Sequence, residues 1–181
     1  MDLYTVFKFL HVVTAIAWVG GGITMFALAL MALARGDEDM ASHAVKHVAF
    51  LGTRWFVPAS MLTLVFGLIM TFLGGLWGQA WIILGLAGFA STFFTGLLGL
   101  KPLSEQIEML HIAGAHDEAR PLEARIMQLS KFDYTVMAVV IADMVFRPAW
   151  NDLIILSLMA IVVAGGAVLF LGSGFRRAVE A

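Results

Sequence analysis

The 181-residue chain has no cysteine, which rules out disulfide bonds, iron–sulfur ligation, thiol nucleophiles and haem attached through a Cys-x-x-Cys-His segment. Charge is scarce as well: Asp, Glu, Lys and Arg make up 13% of residues, and the net charge of −2 gives no basis for a nucleic-acid partner. A soluble domain carries about a quarter charged residues and about half apolar ones. Here 61% are hydrophobic and the mean hydropathy is +0.92, so the chain belongs in a lipid bilayer. Any metal or cofactor it holds must be bound by histidine, carboxylate or methionine.

What is present is a set of long apolar runs. The first, from about Leu3 to Leu33, is long enough to cross a bilayer core. Met1-Asp2-Leu3-Tyr4 lacks the basic start of a secretory signal and the run is too long for its apolar segment, so it is expected to remain as the first membrane helix. Four further spans are expected at about 55–73, 79–100, 132–146 and 153–172, with polar segments over 34–54 and 101–131. The predicted fold is an all-α membrane bundle in a single domain, 1–181, with five transmembrane helices, four forming the core and one added at the carboxyl end. Gly74-Gly75-Leu76-Trp77-Gly78 reads as a tight turn, and Leu122, Ile126 and Leu129 mark an amphipathic helix running into the fourth span. Ala87/Ser91/Thr95/Gly99 and Gly88/Thr92/Gly96 make the third span close-packing on nearly all sides, for the monomer's own packing or for a homodimer.

Basic residues orient the bundle. Arg35, Lys46, Arg54, Lys101, Arg120, Arg125, Lys131, Arg176 and Arg177 fall on one side, and Lys8 and Arg147 on the other. The excess marks the cytoplasmic side, so the amino terminus is expected outside and the carboxyl terminus inside, in the bacterial inner (plasma) membrane.

The first span carries the group that needs explaining, His11. An ionisable side chain within a membrane helix is costly enough to suggest function. Helical stepping puts Lys8, His11, Ala15, Trp18 and Gly22 on one side, with Thr14, Gly21 and Met25 beside them, and leaves Phe9, Ile16, Ile23 and Leu30 as a lipid-like opposite side. At 1.5 Å per residue the layer level with His11 contains Phe66 to Met70, Ile82 to Gly85, Val140 to Met144 and Leu156 to Met159. An imidazole, the carboxylate of Asp143, the thioethers of Met70, Met144 and Met159 as second axial ligands, and the cations Lys8 and Arg147 for propionates are the inventory of a b-type haem site. Two other roles suit Asp143: fixing the tautomer of His11, or pairing with Arg147 at i, i+4. Asp39, His43 and His47 share one helical face and suit a metal, or a second haem at His47, or a solvated polar face. His111 and His116, five apart, should diverge on a helix and read as loop residues.

Lys8-x-x-His11, with Trp18 seven residues on and glycines at 20 to 22, resembles the first helix of the four-helix bacterial protoporphyrinogen oxidase family. The wider group includes the copper-resistance D membrane proteins and a family of uncharacterised bacterial integral membrane proteins, which this chain resembles most along its length. Pro58 with Gly67 and Val145-Phe146-Arg147-Pro148 are similar to features of the same group, over the first four helices. The resemblance implies haem b with His11 as its ligand and Lys8, Trp18, Gly21, Gly22 and Arg147 around it. The fifth helix and the lack of an Arg-x-Phe-Asn-Glu-x-Pro type segment depart from the oxidases. The reading is a haem b redox protein exchanging electrons with a quinone or a membrane partner protein; the alternatives are a copper or other metal transporter and a porphyrinogen oxidase-like enzyme.

Overall fold

In the computed structural model, residues 2–35 and 50–179 are described, and all the regular structure among them is helical. The elements are α1 (Leu3–Arg35), a π-helical turn (Gly52–Phe56) leading into α2 (Val57–Leu73), α3 (Ala80–Phe94), a second π-helical stretch (Thr95–Leu100) leading into α4 (Lys101–Ile112), α5 (His116–Phe146) and α6 (Leu153–Val179). Four stretches are long and apolar enough to cross a membrane: Leu3–Met31, Arg54–Leu73, Ala80–Ile112 and Leu153–Gly172. The expected fourth span is not among them. Its apolar part is short and carries Asp133 and Asp143, although it continues the amphipathic half of α5 as its periodicity predicted, with Leu122, Ile126 and Leu129 half-buried.

Three of the four prolines stand where a missing donor does least harm, and the fourth, Pro121, lies inside a helix. Pro58 stands in the first turn of α2, and Pro102 in the first turn of α4. Both follow a π-helical turn. That wider winding makes room for the ring that an unbroken α-helix would drive into the carbonyl four residues back. This is why helical structure persists past Leu100 to Ile112, into the polar segment expected to follow the third span. Pro148 lies just beyond α5, and Pro121 is within its early part.

The chain divides into two compact units, Met1–Trp77 with Lys101–Ala119, and Gly78–Leu100 with Arg120–Ala181. In the first, α1 and α2 run antiparallel: the Phe7 and Phe66 rings lie 6.0 Å apart, and the Trp55 indole N–H donates to the Ala17 carbonyl at 3.2 Å. Gly21 meets the Trp55 and Phe56 rings. On the opposite side of α1, Phe9, Ile16 and Ile23 are 65%, 65% and 52% exposed, the lipid-like face their spacing predicted. The expected tight turn closes α2: Gly75 at φ +61 follows the helix, the Leu76 N–H reaches the Thr71 carbonyl and the Gly75 N–H the Phe72 carbonyl.

In the second unit, α3 and α5 are antiparallel. Met144 reaches Gly85, Val140 reaches Gly88, and Leu129 lies against Gly99. The paired residue numbers sum to 228 or 229 throughout, so one register holds over the whole contact. A Cβ at Gly85 or Gly88 would overlap those side chains, and the close approach depends on glycine there. α6 joins through Gly166, against Thr135. The all-round close packing expected of α3 is not found: Ala87 and Ser91 are exposed, because the glycine face alone receives α5.

Gly88→Leu is expected to lower stability by about 1–3 kcal/mol through overpacking. Gly96→Ala, with nothing within 4 Å of the new Cβ, is expected to leave it unchanged or raise it by up to about 1 kcal/mol. Unfolding in detergent followed by circular dichroism distinguishes them, and equal stability of the two variants would contradict the register.

Candidate functional site

His11 is half-buried on α1, and its Nδ1 lies 2.7 Å from the backbone carbonyl oxygen of Thr63 on α2. A carbonyl only accepts, so Nδ1 carries the hydrogen and donates it. In the neutral ring Nε2 then holds the lone pair, the atom a metal takes. The Thr63 carbonyl is available because the residue one turn on is Gly67. A side chain at i+4 leans back over the carbonyl of residue i; at Gly67 there is none. A Cβ there would sit 3.0 Å from His11 Cε1 and 3.1 Å from Nδ1. Gly67 therefore uncovers the acceptor and leaves room for the ring.

Around this ring, Thr63 is buried and its hydroxyl donates to the Ala59 carbonyl at 2.8 Å, not to the imidazole. Thr14, one turn along α1, donates within its own helix, to the carbonyls of Leu10 at 2.9 Å and His11 at 3.1 Å. Lys8 is exposed, one turn before His11. Trp18 and Gly22 are half-buried on the same helix, as is Met70 on α2. The level of His11 on α2 is Thr63 to Gly67, about one turn from the expected Phe66 to Met70. The ring hydrogen of His11, for which Asp143 was one candidate acceptor, goes to the Thr63 carbonyl. His47, with Asp39 and His43, lies outside the described residues.

The remaining sequence-predicted groups fall in the second unit. Asp143 and Met144 both approach Gly85, as the layer assignment predicted: Oδ2 of Asp143 lies 3.4 Å, and Sδ of Met144 3.9 Å, from the position of a Gly85 Cβ. Asp143 is 1% exposed, and neither carboxylate oxygen has a hydrogen-bond partner. The expected i, i+4 pair with Arg147 does not form. Arg147 closes α5 at φ +48, left-handed for a residue with a side chain, which carries it off the helix line; its guanidinium lies over the Trp81 ring at 5.2 Å. Beside it, the Trp150 indole donates to the Gly78 carbonyl at 3.0 Å and fixes the turn between α5 and α6. Met159 is half-buried on α6. A second buried acid, Asp133, is 6% exposed with Oδ1 unpartnered, and sequence reading passed it over because it lies near the polar start of the fourth span.

Among the described residues no three His, Asp or Glu side chains gather closely enough to hold a metal ion. What the described residues present at His11 is an imidazole whose tautomer is set by the Thr63 carbonyl.

The isosteric change Asp143→Asn replaces a buried carboxyl that has no hydrogen-bond partner by an amide of the same shape, and is expected to leave the melting temperature in detergent unchanged or higher. A fall of several degrees would reveal a partner that stabilises the carboxylate.

No curated protein and no solved structure matches this chain. One family model does, over residues 5–161, most of the length. With its four apolar spans, the chain is an integral multi-pass membrane protein and belongs to the family of predicted integral membrane proteins DUF2269.

Proposed function

We propose that this protein binds haem b through Nε2 of His11 and works as a membrane redox protein. The observation that carries the reading is the His11 Nδ1–H donated to the Thr63 carbonyl. Ligating histidines in metal and haem sites typically donate their second ring N–H to a carbonyl or carboxylate, which fixes the tautomer and raises ligand basicity. The donor set supports haem over a bare ion, since one imidazole is enough for a porphyrin-bound iron, while a bare ion needs further ligands and no three His, Asp or Glu side chains gather among the described residues. When bound, haem b supplies a one-electron iron couple. His11 holds the iron, Thr63 holds the ring, and Lys8, exposed one turn away, is a cation for a propionate. The resemblance of Lys8-x-x-His11 and Trp18 to the porphyrinogen oxidase group supports the same ligand.

The electron partner in this reading is a membrane quinone or another membrane redox protein. The bundle sits in the bacterial inner membrane with its amino terminus outside, and α5 crosses as a further span despite its two acids, in keeping with the distribution of basic residues.

Protein purified in detergent after expression with haem supplied is expected to show a Soret band, and sharp α and β bands on dithionite reduction. His11→Ala should abolish them. Gly67→Val, which puts a branched side chain against the ring and over the Thr63 carbonyl, should weaken haem retention by about 10–100-fold, as loss of a ligand's hydrogen-bond partner does. A colourless wild type, or a spectrum unchanged in His11→Ala, would contradict the proposal, and copper transport would then be the activity to assay. Because the chain has no native cysteine, single introduced cysteines report sidedness directly: position 2 is expected to react with an impermeant maleimide from outside and position 101 only after the membrane is opened. The reverse pattern would overturn the orientation.

A further inference from the structure

His111 ends α4 and His116 begins α5, and the turn between them brings their rings together. Gly114 adopts φ +72; the Ala115 N–H reaches the Leu110 carbonyl at 2.9 Å and the Gly114 N–H the His111 carbonyl at 3.1 Å. That is the glycine-closed helix end in which two backbone hydrogen bonds lock the reversal. The chain then starts α5 at once, with the Glu118 and Ala119 N–H groups both bonded to the Ala115 carbonyl. Divergence was expected from five-residue spacing on one helix, and the two residues are on different helices. Ile107 and Ala119, on either side of the turn, are fully buried, so the reversal is anchored at both ends.

The result is a pair of imidazoles with Nδ1 atoms 3.2 Å apart and ring centroids at 5.2 Å, inclined by 64°. Two nitrogens at that separation, each at a metal–nitrogen distance of about 2.0–2.1 Å, subtend about 100° at a common ion, close to the tetrahedral angle. A rotation of the rings turns both lone pairs from the N–N line to a common ion. His116 is exposed and His111 half-buried, so an ion has access from water and water can fill its other positions. Asp117 and Glu118 follow directly in the first turn of α5 and add negative charge close by in the chain.

We infer that His111 and His116 form a two-histidine clip for a divalent first-row transition ion of the kind imidazole favours, zinc or copper(II), joining α4 to α5. Without the ion, one Nδ1–H donates to the other Nδ1. On binding, that ring moves its hydrogen to Nε2, both Nδ1 lone pairs go to the ion, and no proton is released overall. The ion then acts as a staple across the turn, stabilising the folded hairpin by binding it in preference to the unfolded chain. The site is separate from His11 and owes nothing to haem.

The test is titration of tag-free full-length protein in detergent with zinc by calorimetry, and with copper(II) by electron paramagnetic resonance. One saturable equivalent is expected, with a copper spectrum showing coupling to two nitrogens. His111→Ala and His116→Gln should each abolish the saturable site and leave a one-nitrogen copper signal at most. His11→Ala and the double variant His43→Ala/His47→Ala should retain it, which separates this site from haem binding and from the other histidines. Gly114→Val keeps both imidazoles but strains the turn, and should weaken binding by about tenfold or more while helical content holds. Absence of saturable binding in the wild type, survival of the site in His111→Ala or His116→Gln, or its loss in the His43/His47 variant would each overturn the inference.

Discussion

A histidine on one membrane helix held by a backbone carbonyl on the next is the interaction on which the candidate site depends. Carbonyls inside helices already accept from the residue four places on and are usually covered by its side chain. Gly67 removes that cover, so the second lone pair of the Thr63 carbonyl meets His11 Nδ1 at 2.7 Å. In an apolar medium an imidazole without a partner is expensive, and one hydrogen bond both satisfies it and decides its tautomer. The consequence is chemical: Nε2, not Nδ1, is the basic nitrogen of this ring.

Glycine does comparable work in the second unit, with a different result. Gly85, Gly88 and Gly99 let α5 side chains approach α3, and that register brings the Asp143 carboxylate to the backbone of Gly85, buried and without a hydrogen-bond partner. Arg147, the nearby cation in the chain, is taken from it by the left-handed end of α5 and given to Trp81. Side chains four apart on a helix meet only while the helix continues. The strained residue at the helix end therefore explains why the acid is left unpaired.

Periodicity made the lipid-facing side of α1, the turn at Gly75, the amphipathic run into α5 and the shared layer of Gly85, Asp143 and Met144 legible in the sequence. Each depends on side-chain pattern or on glycine in a known turn. The partner of His11 was not legible, because a backbone carbonyl has no letter in the sequence; the only trace was Gly67, noted as a family-like glycine without a role. Helical structure over 101–112 was not legible, because that stretch reads only as a polar segment, and the π-helical turns that accommodate Pro58 and Pro102 have no letter pattern of their own. The meeting of His111 and His116 was missed because both were read as loop residues, although Gly114 between them carried the signal for a reversal that closes one helix before the next begins.

The tautomer of His11 tests this account most directly. Nitrogen-15 NMR of histidine-labelled, haem-free protein, with the His11 signals identified by their loss in His11→Ala, reads which ring nitrogen bears hydrogen. The account requires a protonated, pyrrole-type Nδ1 and an unprotonated, pyridine-type Nε2. A ring protonated at Nε2 alone, or one exchanging freely between tautomers, would mean that Thr63 does not hold His11, and the arrangement proposed for ligation would fall with it.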